Sequence, residues 1–297
     1  MNGFINIHKP PGMTSSDVVV RLRRMLPKGA RVGHAGTLDP EATGVLPIMI
    51  GKAARLFGYL VDKEKAYTAT LRLGAVTDTR DAQGAVLARS DARPTDDEIR
   101  AVLPRFAGAI WQVPPVYSAL KRNGKPLYAL ARAGEDVRVE PRQVAVYGIT
   151  MERRLGADEA LLAVRCGKGV YIRSLCHDIG EALGCGAHMG TLIRTQSGIF
   201  TLDNACVLED MRSAGDLAAR LLPMDAPIAH LPMLRALPTA MAACLNGNPL
   251  RAAQIAGGLP EMEGPLRVYV GDAFAGIGRK RGDAVFFDAM LLEREGK

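Results

Sequence analysis

The 297-residue sequence has few of the features that place a chain in a membrane or on a secretory route. Its longest apolar stretch, 45–61, is interrupted by Pro47, Gly51, Lys52 and Arg55, which argues against a membrane-spanning helix. The N-terminus has no basic region followed by an apolar segment, so no signal peptide is indicated. We therefore predict a cytoplasmic protein that does not associate with membranes.

Common catalytic and metal-binding motifs are also absent. The five cysteines form no C-x-x-C pair, so they indicate neither a disulfide framework nor a zinc site. There is no Walker loop, no G-x-S-x-G elbow and no H-E-x-x-H helix, which disfavours the commonest NTPase, hydrolase and metalloprotease classes.

What the chain does have is basic charge and enough apolar residues for a core. The formal net charge is +7 and the pI is about 9.3, which favours a polyanionic partner without identifying one. Hydrophobic residues make up 48%, and the length favours one large domain plus a small one.

Hydrophobic periodicity predicts a mixture of strands and helices. We expect strands over 4–8, 66–73 and 161–166, and helices after a Thr14–Asp17 capping box and over 52–61, 94–106, 126–133 and 172–183. Beyond residue 232 the elements become short, with a helix near 239–246 and strands near 266–271, 273–278 and 284–292. This change of texture predicts a small, mostly β module over 232–297.

The loop from Gly33 to Gly44 is the first candidate for chemistry. Three glycines, His34 and Asp39 lie so close together that the backbone is expected to approach a ligand. The alternative has about equal weight: Asp39 simply opens an Asp-Pro turn in a Gly-rich connection.

Other candidates are weaker when each is taken alone. Arg173 falls in the first turn of a predicted helix, where a carboxylate such as Asp39 would offset an unfavourable dipole; an exposed arginine is the plain alternative. Tyr67 lies on the apolar face of a strand, which is more typical of a core residue. Lys9 could touch a phosphate, although a solvated lysine is the simpler interpretation.

The chain contains, in order, the motifs HKPPGMTS at 8–15, GHAGTLDPEATG at 33–44, KAY at 65–67, RLG at 72–74, TDT at 77–79, PVYSALK at 115–121 and GVYIRSL at 169–175. Taken together, these motifs resemble the bacterial TruB family, the tRNA pseudouridine synthases that modify uridine 55 in the T-arm. The resemblance covers residues 3 to about 290.

The resemblance implies an α+β fold with a mixed, largely antiparallel sheet, flanking helices and a small C-terminal PUA-like β domain. It implies a catalytic domain over 1–231 and an RNA-binding domain over 232–297, with the basic segment 117–142 as an RNA-clasping loop. The implied partner is the T-arm stem-loop of tRNA, with no metal and no other cofactor. A monomer is expected because no exposed apolar stripe is evident.

The resemblance also assigns the catalytic group. It makes Asp39 the catalytic carboxylate and Arg173 its ion-pair partner, with Asp81 as the second acidic neighbour of the arginine. It implies that Tyr67 packs against the target base. An arginine beside Asp39 is expected to keep the carboxylate ionised by lowering its pKa.

The same resemblance implies a pocket for an extruded uridine. It places His34, Tyr171 and Leu192 around the flipped base, and Lys9 in the same cleft. Two other functions stay open on the residues alone. One is a tRNA-binding or tRNA-folding protein that needs no catalysis. The other is a nucleotide-binding enzyme that uses the 33–44 loop, disfavoured because that loop has no Gly-Lys-Ser/Thr ending.

Overall fold

The computed structural model describes residues 1–61, 63–118, 120–122, 124–127 and 139–293. The basic segment 117–142 is thus described only in part, and the short helix that the sequence predicts over 126–133 lies almost entirely outside the described residues. Within the described ranges, no helix is long and apolar enough to cross a membrane.

The described residues form the following strands and α-helices, each numbered in chain order. The strands are β1 (Gly3–Lys9), β2 (Val32–His34), β3 (Thr43–Ile50), β4 (Lys65–Leu73), β5 (Ala75–Thr77), β6 (Val86–Arg89), β7 (Gly108–Gln112), β8 (Lys121–Arg122), β9 (Lys125–Pro126), β10 (Arg142–Gly156), β11 (Glu159–Cys166), β12 (Ala187–Ser197), β13 (Phe200–Thr201), β14 (Cys206–Val207), β15 (Met233–Ala236), β16 (Leu250–Arg251), β17 (Pro265–Val270), β18 (Ala273–Arg281) and β19 (Ala284–Met290). The helices are α1 (Ser15–Arg23), α2 (Phe57–Val61), α3 (Asp96–Val102), α4 (Ile172–Ala182), α5 (Ala214–Ala219) and α6 (Met241–Asn246).

One large sheet organises the first part of the chain. Its strand order is β14-β1-β3-β12-β4-β11-β10-β7, with β2 added beside β3 and β13 beside β12. The β1–β14 and β3–β12 pairs are parallel, and the other strand pairs of this sheet among the described residues are antiparallel. Together with the C-terminal β sheet, this confirms the predicted α+β fold with a mixed, largely antiparallel sheet.

The helix starts follow the sequence signals. Thr14 caps α1, and the Thr14 and Asp17 side chains form the predicted capping box. Val18 and Leu22, on one face of α1, are fully buried in the main core.

The predicted 94–106 helix is shorter than expected. After α3 the chain tightens into a 3-10 turn over Leu103–Phe106, because Pro104 cannot donate the backbone hydrogen bond that an α-helix needs. The predicted 52–61 helix likewise begins as a 3-10 turn over Gly51–Leu56 before α2.

Helix α4 carries Arg173 and lies close against the sheet. Leu175, Cys176 and Ile179 of the predicted apolar face are fully buried. Gly180 permits the close packing, since a Cβ there would lie 2.1 Å from the backbone nitrogen of Ala187 on β12. This contact holds the last turn of α4 against β12.

The C-terminal residues form a second sheet of order β15-β17-β18-β19-β16, with a core of its own. A separate apolar cluster joins this sheet to the first one. In that cluster, Ile277 and Leu291 of the C-terminal part pack with Phe4, Met49 and Leu56. We call these residues the inter-domain cluster.

Candidate active site

Asp39 lies in the connection between β2 and β3. Gly36 and Gly44 have φ angles of +123° and +98°, which residues with a side chain rarely adopt. A Cβ on Gly44 would lie 2.3 Å from the carbonyl oxygen of Arg194, so this glycine is needed for contact with β12 rather than with a ligand. Asp39 also opens a turn in which its carbonyl accepts from the Ala42 N–H at 3.1 Å. The turn interpretation of the sequence is therefore correct, and it does not conflict with a chemical role.

The side chain of Asp39 pairs with Arg173 from α4. Arg173 Nη2 donates to Asp39 Oδ1 at 3.1 Å, and Nε lies 3.0 Å from Oδ2. The arginine side chain is only 6% exposed, whereas that of Asp39 is 36% exposed. The carboxylate is therefore held by the arginine from the protein side and remains open on the other side.

A second acid holds the arginine from behind. Arg173 Nη1 donates to Asp81 Oδ2 at 3.4 Å and to the Thr79 carbonyl at 3.3 Å, while Nη2 donates to the Tyr117 carbonyl at 2.9 Å. Asp81 is itself fixed, since its Oδ1 accepts from Thr79 Oγ1 at 2.6 Å and from the Gln83 N–H at 3.0 Å. These contacts fix the arginine between two carboxylates.

The pKa of Asp39 differs from the sequence expectation. Burial raises the pKa of this carboxyl above its usual range, and the nearby Asp81 carboxylate raises it further. Arg173 and Lys9 oppose the shift without reversing it. The expectation that the arginine would give Asp39 a lowered pKa was therefore wrong in its net direction, because desolvation outweighs the ion pair.

Asp39 and Arg173 line a cavity of about 310 Å³. The same cavity is lined by Tyr67 from β4, Leu192 from β12 and Tyr171 at the start of α4. Tyr67 is buried, and burial raises the pKa of its hydroxyl. Five of the eight residues singled out from the sequence thus meet in one cavity that has a carboxylate, two aromatic rings and an apolar wall.

Tyr171 is fixed by a residue that the sequence reasoning missed. The buried Gln112 of β7 donates from Nε2 to the Tyr171 carbonyl at 3.0 Å and accepts from the Tyr171 N–H at 2.8 Å. This side chain satisfies backbone groups at the start of α4, where Tyr171 itself makes no side-chain cap. No signal in the sequence predicts this, because the partners are separated by 59 positions.

Lys9 does not lie in the cleft as predicted. Its side chain is fully buried, and the ammonium donates to the carbonyls of Pro10, Met13 and Pro40 at 2.8, 2.5 and 2.7 Å. An ammonium has three N–H donors, so none is left for a phosphate. Burial lowers the pKa of Lys9 to about 8. The lysine instead ties β1 to the turn that follows Asp39.

His34 ends β2 and is half-buried, outside the residues that line the cavity. Burial lowers the pKa of its imidazole, and the charge of Arg194 adds to the shift. Its role beside a flipped base stays a prediction.

Arg194, which also lines the cavity, is a second residue that the sequence analysis did not identify. Among the residues that the structure describes, no group of three or more His, Cys, Asp or Glu side chains is arranged to hold a metal.

Two family models match the chain in succession. Residues 23–172 match the TruB family pseudouridylate synthase N-terminal domain, and residues 173–229 match the tRNA pseudouridylate synthase B C-terminal domain. The matched ranges contain Asp39, Tyr67 and Asp81 in the first model, and Arg173 and Leu192 in the second. The family match therefore covers the residues around the cavity.

Similar proteins cover most of the chain. The tRNA pseudouridine synthase B of Stutzerimonas stutzeri is 42% identical over 99% of this chain and 97% of its own length. That of Dinoroseobacter shibae is 46% identical over 84% of this chain and 83% of its own.

Solved structures of similar fold include an H/ACA RNP bound to a substrate RNA containing 2'-deoxyuridine. It is 28% identical, with a TM-score of 0.73, over 99% of this chain and 86% of that one. The archaeal box H/ACA sRNP Nop10-Cbf5 complex is likewise 28% identical, with a TM-score of 0.72, over 99% and 87%. From the matched models, the relatives and the cavity, we conclude that this chain belongs to the TruB family of pseudouridylate synthases, which are isomerases.

Proposed function

We propose that the protein isomerises uridine to pseudouridine in tRNA, at position 55 in the T-loop. The observation that carries this proposal is the Asp39 carboxylate, exposed to a cavity of about 310 Å³ and held from behind by the buried Arg173. That volume is at the lower end of pockets that enclose small molecules, which suits a single nucleoside. The tRNA substrate is the one named for the similar synthases.

The reaction requires few groups from the protein. The C1′–N1 bond breaks and a C1′–C5 bond forms; the proton on C5 is released to solvent and N1 gains a proton, so there is no net redox change. Asp39 acts as the nucleophile in its ionised form. The uridine is extruded from its stack into the cavity, where Tyr67, Tyr171 and Leu192 replace its stacking partners.

RNA binding is assigned to two further regions of the chain. The basic segment 117–142 is proposed to clasp the T-arm, and the region 232–297, which contains the second β sheet, is proposed to act as a PUA-like module that holds RNA away from the chemistry. The net charge of +7 supports a polyanionic partner. We propose that the protein works as a cytoplasmic monomer.

The test is tritium release from tRNA transcripts labelled at uridine C5. The wild-type protein is expected to release one equivalent per tRNA, and a transcript with cytidine in place of uridine 55 is expected to release none. Asp39→Asn removes the nucleophile but keeps the shape of the side chain, so its rate should fall by about 10⁴-fold or more. Binding of tRNA to this variant should remain close to that of the wild type.

Three outcomes would contradict parts of this proposal. Release that persists in the cytidine transcript would place the modified uridine elsewhere. Full release by Asp39→Asn would remove the chemistry from that carboxylate. A folded wild-type protein that binds tRNA without releasing tritium would favour the non-catalytic tRNA-folding function instead.

A further inference from the structure

Arg194 on β12 carries a positive charge in the protein interior. Its side chain is among the largest that are fully buried, with 1% of the residue exposed. No carboxylate among the described residues lies within ion-pair distance of its guanidinium. A buried charge is costly unless polar groups satisfy it. The groups that do so here are backbone carbonyls.

Those carbonyls belong to both ends of the loop that carries Asp39. Arg194 Nε donates to the Val45 carbonyl at 2.7 Å, and Nη2 donates to the Gly36 carbonyl at 3.2 Å. A third, longer contact of 3.5 Å joins Nη1 to the Thr37 carbonyl. The guanidinium is planar and rigid, so these contacts fix the separation and the orientation of the two loop ends.

Arg194 is also a neighbour of Tyr67, one of the two aromatic residues of the cavity. It lies directly opposite Tyr67 in the ladder between β4 and β12, and both side chains line the cavity. The charge of Arg194 lowers the pKa of the Tyr67 hydroxyl, in opposition to burial. One side chain therefore contacts the loop that carries the proposed nucleophile and acts on the hydroxyl of Tyr67, the residue expected to pack on the base.

We propose that Arg194 is a positioning residue for the isomerisation, which holds the Asp39 loop at a fixed distance from Tyr67 by joining both loop ends to β12. This inference rests on the proposed function, because it assigns Arg194 a role in that reaction. In this proposal, the positioning of the loop depends on the planar arrangement of the guanidinium N–H donors as well as on the charge. A lysine at this position keeps the positive charge but lacks the planar array of donors.

The test compares Arg194→Lys and Arg194→Met with Arg165→Lys, a matched control on the exposed face of β11. Single-turnover tritium release is measured beside the Kd for tRNA. We expect Arg194→Lys to slow release by about 30- to 100-fold, because displacements near 1 Å at a reacting centre have effects of this size. The Kd should stay within about twofold and the control should react normally.

The pKa of His34, followed by NMR, reports the charge separately. Arg194 lowers this pKa, so Arg194→Met should raise it, whereas Arg194→Lys should leave it near the wild-type value. A slowed Arg194→Lys with an unshifted His34 separates geometry from charge. Because Arg194→Met removes a buried partner of several carbonyls, the lysine variant decides the matter if the methionine variant does not fold.

Amide hydrogen exchange measures how firmly the Asp39 loop is held, independently of catalytic activity. The N–H groups of Leu38 and Ala42, which donate to Ser15 Oγ and the Asp39 carbonyl, should exchange faster in Arg194→Lys than in the wild type. Unchanged exchange, full activity of Arg194→Lys, or a loss of tRNA affinity equal to the loss of rate would overturn the proposal. A wild-type protein without tritium release would instead overturn the proposed function, and the exchange result would still decide whether Arg194 holds the loop.

Discussion

The Asp39 loop and the inter-domain cluster both lie against β3, but they are held in different ways. The loop is fixed by directional contacts from buried cations: Lys9 and Arg194 bind its backbone carbonyls, and Arg173 binds its carboxylate. The inter-domain cluster is mainly apolar. Hydrogen bonds weaken steeply with angle and distance, whereas apolar burial is nearly non-directional. We infer that the first region determines geometry and the second determines stability.

The largest expected effect on stability belongs to the inter-domain cluster. Ile277→Ala should lower the free energy of unfolding by about 2–4 kcal/mol, because Ile277 is fully buried and a cavity would remain. Phe286→Ala, on the next strand and partly exposed, is the control and should cost well under half as much. Chemical denaturation measures both. If Ile277→Ala slowed saturated turnover in proportion to its instability, the proposed division between the two regions would be wrong.

Lys9→Met tests the loop side of the comparison. The change removes three hydrogen bonds to carbonyls, one of which is that of Pro40 beside the nucleophile. We expect turnover at saturating tRNA to fall by about 10- to 100-fold, with little change in the Kd for tRNA. A phosphate-binding lysine, as the sequence suggested, would give the reverse pattern: a weaker Kd and an unchanged turnover.

A smaller effect is expected on the pH dependence. Burial and Asp81 raise the pKa of Asp39, and the carboxyl must be ionised to act as a nucleophile, so activity is lost as the pH falls through that pKa. Asp81→Asn removes one cause of the rise, so the acidic limb of the pH–rate profile should move to lower pH. Arg173→Met removes a cause that lowers the pKa, and its limb should move to higher pH. Shifts in the same direction would contradict this account.

The smallest effect per residue concerns the basic segment. Neutralising Lys121, Arg122 and Lys125 together should flatten the dependence of tRNA affinity on salt. The slope of log K against the logarithm of the salt concentration should decrease in magnitude by up to about 1 for each lost phosphate contact. Turnover at saturating tRNA should be preserved, because these charges are proposed to contact phosphates and not the reacting base. An unchanged slope would show that this segment does not grip the RNA backbone.

Sequence patterns predicted elements whose signals are local. Helix α4 matches the prediction because its apolar face repeats regularly and Gly184, at φ +70°, ends it. The pattern predicts no strand over β10 or β12. Register shifts interrupt the alternation of β10, and buried polar residues such as His188 and Arg194 interrupt that of β12.

The sequence by itself determined the residue types around the reacting centre and, through the family resemblance, which of them meet: Asp39, Tyr67, Tyr171, Arg173 and Leu192. Only the tertiary structure decided the environment of each side chain. Lys9 and Arg194 are buried by segments as many as 158 positions away, and the pKa of Asp39 rises because desolvation exceeds the attraction of its arginine. Burial and electrostatic fields are sums over neighbours in space, so neither can be obtained from periodicity along the chain.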